Sequence, residues 1–207
     1  MQISWNGLGS FTIVAKPAQS EVTVVTNPFV STEMKFKSTQ ASIVVQSHEG
    51  KDTNNLSAVS SEHPDENKDV FIVSHAGEYE VQGVFVTGIE ASKKDGTPHA
   101  IYRFDAENIK VGFLGAIDRA LTTAEVEALG PIDILIVPAD KALLSSAQAA
   151  EVVGQVEPRI VIPSYGDAAA AGVLQREIGC QMESTSKFKI TRAGLPEEDM
   201  KMVTFEK

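Results

Sequence analysis

Cysteine is nearly absent from the sequence, since Cys180 is the only one in 207 residues. A single cysteine excludes an internal disulfide and a metal site built from several thiolates. In the stretch REIGCQM we expect Cys180 to be a small buried hydrophobic residue. This cysteine usage is typical of a reducing compartment, and we predict a cytoplasmic protein.

Basic residues are scarce relative to acidic ones, with 18 Lys and Arg against 28 Asp and Glu and a formal net charge of −10. No cluster of Lys and Arg interrupts this balance, so we expect no nucleic-acid partner and no anionic membrane surface. No apolar run has the length needed to span a bilayer. The opening MQISWNGLGSFTIVA lacks the basic start and long apolar core of a signal peptide, and we expect none.

Short β-branched runs, often alternating with polar residues, fill the first half of the chain and predict strands. Beyond residue 120, helical patterns alternate with the buried strands PIDILIVPAD and PRIVIP. The helical stretches are LTTAEVEALG, SSAQAAEVVGQV and AAAAGVLQREIG, and the last should end at Gly179. This order predicts an α/β fold in which helices cover sheets.

We expect one domain over residues 1–207. A polar surface loop is predicted at about residues 50–69, because that stretch has few apolar side chains. The apolar strand positions predict a core that includes Ile3, Trp5, Val44, Val86, Val111, Leu135, Ile136 and Ile162.

Taken in order, several segments of the chain resemble the metallo-β-lactamase superfamily. They are ISWNGLGSFTI, VVTNPF, ASIVVQSHEGKDTNN, HAGEYEVQGVFVTGI, IKVGFLGAID followed by a helix and DILIVPAD, and PRIVIPSYGD. The resemblance is to the branch of zinc-dependent hydrolases similar to ascorbate-6-phosphate lactonase. It implies a four-layer αββα sandwich with the site along one edge of two sheets.

The resemblance also shows which metal-ligand positions this chain has changed. His48 and Asp52 match the first histidine and the aspartate of the family's T-H-x-H-x-D-H-N motif. Six other motif positions carry non-ligands or weak ligands, namely Leu8, Asn27, Gly50, Thr53, Ala116 and Tyr165. Because a catalytic zinc normally takes three protein ligands, we predict a degenerate metal motif and no metal cofactor.

The remaining candidates for site chemistry are few. The pocket candidates are His48, Asp52, Tyr165 and Asp167, of which His48 and Asp52 are weak metal candidates. We expect the other three histidines to be solvated or half-buried imidazoles; of these, His63 stands at His-x-Asp spacing from Asp65. Glu78 and Tyr79 are predicted to be a buried carboxylate and phenol that hold a turn.

Three hypotheses about function follow. The leading one is a catalytically degenerate member of the superfamily, kept for a binding or assembly role, with a homo-oligomer and a small-molecule ligand as expected partners. The second is a hydrolase of a small lactone or phosphorylated substrate with an altered mononuclear zinc site. The third is a metal-free enzyme that uses the vacated pocket. A fold does not decide among them, because function depends on the site.

Overall fold

The computed structural model describes residues 1–18, 20–63 and 69–206. Two sheets form the centre of the fold. The first has six strands in the order β15 (Phe188–Lys189), β1 (Gln2–Gly7), β2 (Ser10–Ala15), β3 (Val22–Thr26), β5 (Ile43–Val45) and β7 (Phe71–Val73). The second has eight strands in the order β14 (Gln181–Thr185), β16 (Lys201–Phe205), β13 (Ile160–Ser164), β12 (Ile134–Pro138), β11 (Ile109–Phe113), β10 (Pro98–Ala106), β9 (Val84–Ser92) and β8 (Gly77–Val81).

Both sheets mix parallel and antiparallel pairing. In the first sheet, β1, β2 and β3 form antiparallel pairs, whereas β3, β5 and β7 run parallel. In the second, β8 to β11 are antiparallel, and β11, β12, β13, β16 and β14 are parallel. Parallel neighbours end at the same edge of a sheet, so the loops that follow them are brought together there.

Apolar side chains from both sheets meet between them and form the largest core cluster. Ile3, Val86, Val111, Ile136 and Ile162 are buried in this layer. Trp5 is half-buried and packs against it. The predicted core is confirmed, with Val44 and Leu135 buried on the outer faces of the two sheets.

Three helices, α1 (Thr123–Leu129), α2 (Ser146–Val156) and α3 (Ala168–Ile178), cover the outer face of the eight-stranded sheet. Thr122 and Ser145 form capping boxes at the starts of α1 and α2. Gly179 ends α3 with a φ of +65°, a conformation that glycine adopts without steric cost. The α/β fold and the three predicted helices are therefore confirmed, and Cys180 is buried as expected.

The outer face of the six-stranded sheet is covered differently. In the described ranges its cover contains no α-helix; it consists of a two-stranded sheet of β4 (Thr39–Ala41) and β6 (Val59–Ser61), a 3₁₀ turn at Leu56–Ala58, and loops. Phe29, Phe36 and Val59 are buried in this layer. The segment expected to be a polar surface loop thus packs on the sheet in part, and its residues 64–68, including Asp65, lie outside the described ranges.

None of the helices in the described part of the chain has the length and apolar character needed to cross a membrane.

Candidate functional site

The predicted site residues His48 and Tyr165 lie at one edge of the two packed sheets, together with other residues of the loops that adjoin strand ends there. Asn27 follows β3, Ser47 and His48 follow β5, Gly115 follows β11 and Tyr165 follows β13. Backbone hydrogen bonds join the sheets at this edge, from Ala100 N to Ser47 O at 2.7 Å and from Tyr165 N to Leu8 O at 3.1 Å. The geometry of the edge is therefore fixed by main-chain contacts as well as by side chains.

A chain of hydrogen bonds runs through five side chains of the site. Asn27 Nδ2 donates to Ser47 Oγ at 2.9 Å, and Ser47 Oγ lies 2.9 Å from His48 Nδ1. His48 Nε2 lies 3.2 Å from Asp52 Oδ1, and the Tyr165 hydroxyl donates to Asp52 Oδ2 at 3.3 Å. Because an ionised carboxylate only accepts, Nε2 of His48 is the donor to Asp52, and Nδ1 accepts from Ser47 when the imidazole is neutral. All donors of the chain then point toward the carboxylate of Asp52.

The loop from His48 to Thr53 carries Asp52, the acidic member of the hydrogen-bonded chain. Thr53 is fully buried, and its hydroxyl donates to His48 O at 2.6 Å and also lies 3.1 Å from Gly50 O. Thr53 therefore closes the loop from inside and does not face the site. A Cβ added at Gly50 would lie 2.6 Å from Asp52 Oδ1 and 3.3 Å from His48 Nε2. The carboxylate of Asp52 thus fills the space beside Gly50.

Three residues of the site have left-handed backbone conformations although they are not glycine. Their φ angles are +49° at Leu8, +41° at Asn27 and +62° at Tyr165. Such conformations each cost on the order of 1 kcal/mol and persist where the surrounding structure requires them. The Tyr165 ring also covers Gly9 so closely that a Cβ there would lie 2.3 Å from ring atoms. Strained backbone is therefore found at three of the positions where the family resemblance predicts a lost metal ligand.

The pKa values of Asp52 and Tyr165 are shifted by burial and by neighbouring side chains. Burial alone would raise the pKa of Asp52, but the hydrogen bond from His48 and its electrostatic attraction outweigh burial and hold that pKa below its ordinary value. Burial, reinforced by the charge of Asp52, raises the pKa of the Tyr165 phenol far above its ordinary value. Tyr165 is therefore a neutral hydrogen-bond donor to an ionised Asp52 at neutral pH.

His99 is the site residue that the sequence did not indicate. It was expected to be a surface or half-buried imidazole, and this expectation is wrong, because His99 is only 4% exposed. Its ring lies 5.4 Å from the His48 ring between centroids, and Gly115 approaches so closely that a Cβ there would be 3.0 Å from His99 Cε1. His99 Nε2 lies 2.8 Å from Leu114 O, to which it donates. Burial lowers the pKa of His99 from 6.5 to about 4, so its other nitrogen, Nδ1, is an unprotonated acceptor.

The structure separates Asp167 from the other pocket candidates. His48, Asp52 and Tyr165 share the hydrogen-bonded chain, whereas Asp167 is the exposed N-cap of α3 and its Oδ1 accepts from Ala170 N at 2.8 Å. Asp167 has the local role that aspartate commonly plays at a helix start.

Four further expectations concern residues outside the hydrogen-bonded chain of His48. His75 is exposed, as expected, and His63 is half-exposed. Glu78 is exposed as well, so the expected buried carboxylate is wrong. Side chains alternate along β8, and Glu78 lies on the face opposite Tyr79 and Val81, which pack against the core. Tyr79 is half-buried and not buried as expected, but it does hold a turn, since its hydroxyl lies 3.3 Å from His75 O and 3.4 Å from Ala76 O.

The residues present do not fit a zinc centre of the kind that the superfamily uses. In residues 1–18, 20–63 and 69–206, no group of three or more His, Cys, Asp or Glu side chains is placed to hold a metal ion. His48 and Asp52 are bonded to each other, and a protonated phenol at Tyr165 is a poor ligand. A structural or catalytic zinc needs at least three protein donors around one ion.

Comparisons with known proteins agree with this fold. Residues 2–165 match a family model described as a beta-lactamase superfamily domain. Because the match covers well over half of the chain, the protein belongs to the metallo-β-lactamase superfamily. No curated protein sequence gave a significant match.

Several solved structures are similar over most of the chain. A Thermotoga maritima protein, provisionally assigned as a Zn-dependent hydrolase of this superfamily, has a TM-score of 0.77 and 22% identity, with 100% of both chains covered. A provisionally assigned metal-dependent hydrolase from Parabacteroides distasonis has a TM-score of 0.65 and 15% identity, over 99% of this chain and 91% of the other. A metallo hydrolase from the archaeon Ignicoccus hospitalis has a TM-score of 0.61 and 13% identity, over 86% of this chain and 90% of the other. At these identities the likeness shows the fold alone.

Proposed function

We propose that the protein is a metal-free member of the superfamily, derived from the branch similar to ascorbate-6-phosphate lactonase and kept for a binding or assembly role. The observation that carries this proposal is the bonding of His48 to Asp52 and of Asp52 to Tyr165. In a metal centre these atoms would be directed at the ion. Here they satisfy each other, and a metal would have to break these bonds before it could bind.

Gly50 supports the same conclusion. A histidine at that position would place its Cβ only 2.6 Å from the present position of Asp52 Oδ1. The loss of the residue-50 side chain and the present orientation of Asp52 are therefore linked. We interpret the loop as a polar structure that its own hydrogen bonds stabilise, and not as a metal site that lacks only its ion.

Zinc loading tests this proposal directly. The purified protein is incubated with excess zinc, free metal is removed by gel filtration, and bound zinc is measured together with lactonase and phosphodiesterase activity. We expect far less than one zinc per chain, because the loss of ligands weakens metal affinity by large factors. Near-stoichiometric zinc that disappears in His48→Ala, accompanied by zinc-dependent turnover, would overturn the proposal.

A second candidate function is the hydrolase with an altered mononuclear zinc site. Its support is His99, whose buried Nδ1 has no hydrogen-bond partner among the described residues and whose ring stacks near that of His48. If His99 supplied a third donor, His99→Gln would remove the bound zinc as completely as His48→Ala. Equal, low zinc content in the parent protein and in both variants supports the metal-free form.

The assembly part of the proposal is self-association of a cytoplasmic protein, with no nucleic-acid or membrane partner. Its support is three exposed apolar side chains near the outer edges of the two sheets, Phe71, Ile72 and Phe85, which are 43%, 48% and 56% exposed. Contiguous exposed apolar patches mark interaction surfaces, and we infer that these side chains contribute to one. Light scattering should give a multiple of the 22.2 kDa chain mass. An Ile72→Lys, Phe85→Lys double variant should return the mass of one chain, and a monomeric parent protein at all concentrations would contradict self-association.

A further inference from the structure

A cavity of about 540 Å³ lies between β1 of the six-stranded sheet and strands β13, β14 and β16 of the eight-stranded sheet. The start of α3 closes one side of it. Its volume falls in the range of small-molecule sites, which are mostly apolar and carry a few polar groups. None of the five side chains in the hydrogen-bonded chain of His48 lines the cavity, although its lining residue Gly166 directly follows Tyr165 in sequence.

The wall of the cavity is aromatic and apolar. Trp5 and Phe205 are half-buried, and both pack against the core between the sheets. Met182 adds an apolar side chain that is 47% exposed. The indole Nε1 of Trp5 already donates to Leu8 O at 2.9 Å, so Trp5 contributes ring surface and not a free donor. These side chains suit the apolar body of a ligand.

The charged groups of the cavity all have one sign. Asp167 and Glu206 line it, and no Lys or Arg lies among its described lining residues. The N-terminus of α3 carries about half a positive charge. That partial charge is already met by Asp167, whose Oδ1 accepts from Ala170 N. Among the described residues, neither the second oxygen of Asp167 nor the carboxylate of Glu206 has a side-chain partner, so the described charges of the cavity favour a cation.

We propose that this cavity binds a small organic cation, an ammonium group carried on an apolar body. The apolar body lies against Trp5, Phe205 and Met182, and the ammonium group lies near Asp167 and Glu206. Aromatic faces attract such cations through the quadrupole of the ring, and two carboxylates add direct electrostatic attraction. Binding there requires neither the presence nor the absence of a metal at His48, so its test is independent of zinc loading.

Trp5 is the only tryptophan, and its fluorescence reports directly on the cavity. The full chain is titrated with cyclohexylmethylammonium, with the neutral cyclohexylmethanol and with the anionic cyclohexanecarboxylate at matched ionic strength. We expect a saturable change with the cation and a dissociation constant about tenfold lower than that of the alcohol. The carboxylate should bind more weakly than the alcohol.

Charge-neutral variants locate the ammonium group. Asp167→Asn keeps the helix cap, and Glu206→Gln alters an exposed side chain, so both should fold. Each should weaken cation binding about threefold and leave alcohol binding unchanged. The matched control is Glu198→Gln, which removes an exposed charge outside the cavity lining and should bind like the parent protein. Equal binding of cation and alcohol, tightest binding of the carboxylate, the same loss in Glu198→Gln, or no saturable change would each overturn the assignment.

Discussion

The carboxylate of Asp52 occupies the space beside Gly50, where a Cβ would lie only 2.6 Å from Asp52 Oδ1. From that place it accepts hydrogen bonds from His48 on one oxygen and from Tyr165 on the other. The hydrogen bonding of Asp52 to both neighbours therefore depends on a glycine at residue 50. A side chain at that position competes with Asp52 for space.

Gly50→Ala should destabilise the protein by about 1 kcal/mol. The added methyl forces Asp52 to rotate, and its bonds to His48 and Tyr165 are lost. Urea unfolding measures the change. In an Asp52→Ser background the same substitution should cost much less, because the competing carboxylate is gone. Equal costs in the two backgrounds would show that the methyl group acts elsewhere.

Tyr165→Phe keeps the ring over Gly9 and removes one donor to Asp52. The pKa of Asp52 should then rise toward its ordinary value. A lowered pKa in the folded state stabilises the protein above the unfolded pKa, and this stability is lost as pH falls through the folded pKa. The variant should therefore be less stable at pH 7 by about 0.5 kcal/mol, a small value because the Asp52 side chain is partly exposed to solvent.

The difference in unfolding free energy between Tyr165→Phe and the parent protein should depend on pH. The difference in stability shrinks as Asp52 becomes protonated in both proteins. Unfolding curves at several acidic and neutral pH values test this directly. A difference that does not depend on pH would show that the hydroxyl acts through packing and not through Asp52.

Thr53→Val should cost about 2 kcal/mol, because it leaves the partly buried carbonyl of His48 without its donor. Thr53→Ser is the matched variant; it keeps the hydroxyl and loses a buried methyl, which should cost about 1 kcal/mol. The N–H of residue 53 donates to Gly50 O at 3.2 Å, and its hydrogen exchange should accelerate more in the Thr53→Val variant than in the Thr53→Ser variant. A valine variant as stable as the serine variant would contradict the role of the hydroxyl in closing the loop.

Much of the fold could be predicted from local sequence. Thr122, Ser145 and Gly179 act within one helical turn of their own positions, so their capping roles are readable from neighbouring residues. The clustering of His48, Asp52 and Tyr165 was also predicted, but through the resemblance to a family and not through spacing, since Asp52 and Tyr165 are 113 residues apart.

The missed features depend on tertiary contacts. Glu78 is exposed because it lies on the face of β8 opposite Tyr79 and Val81, which pack against the core, and the sheet edge leaves that face uncovered. His99 follows a proline at the start of β10 and resembles a surface residue locally. Its burial results from the approach of Gly115 and of the His48 ring, which come from other parts of the chain.

His99 should make the protein sensitive to mild acid. Its pKa is lowered from 6.5 to about 4 by burial, so the unfolded chain binds a proton at pH values where the folded protein does not. Stability should therefore rise with pH between about 4 and 6.5 and fall as the solution is acidified through that range. The stabilisation lost across the range is on the order of 3 kcal/mol for the folded protein.

In His99→Gln, which cannot titrate, the slope of stability against pH in this window should flatten, whereas His75→Gln, at an exposed position, should keep the parent slope. Proton NMR of the His99 ring gives the direct measurement, and a His99 signal that titrates near 6.5 in the folded protein would contradict the prediction.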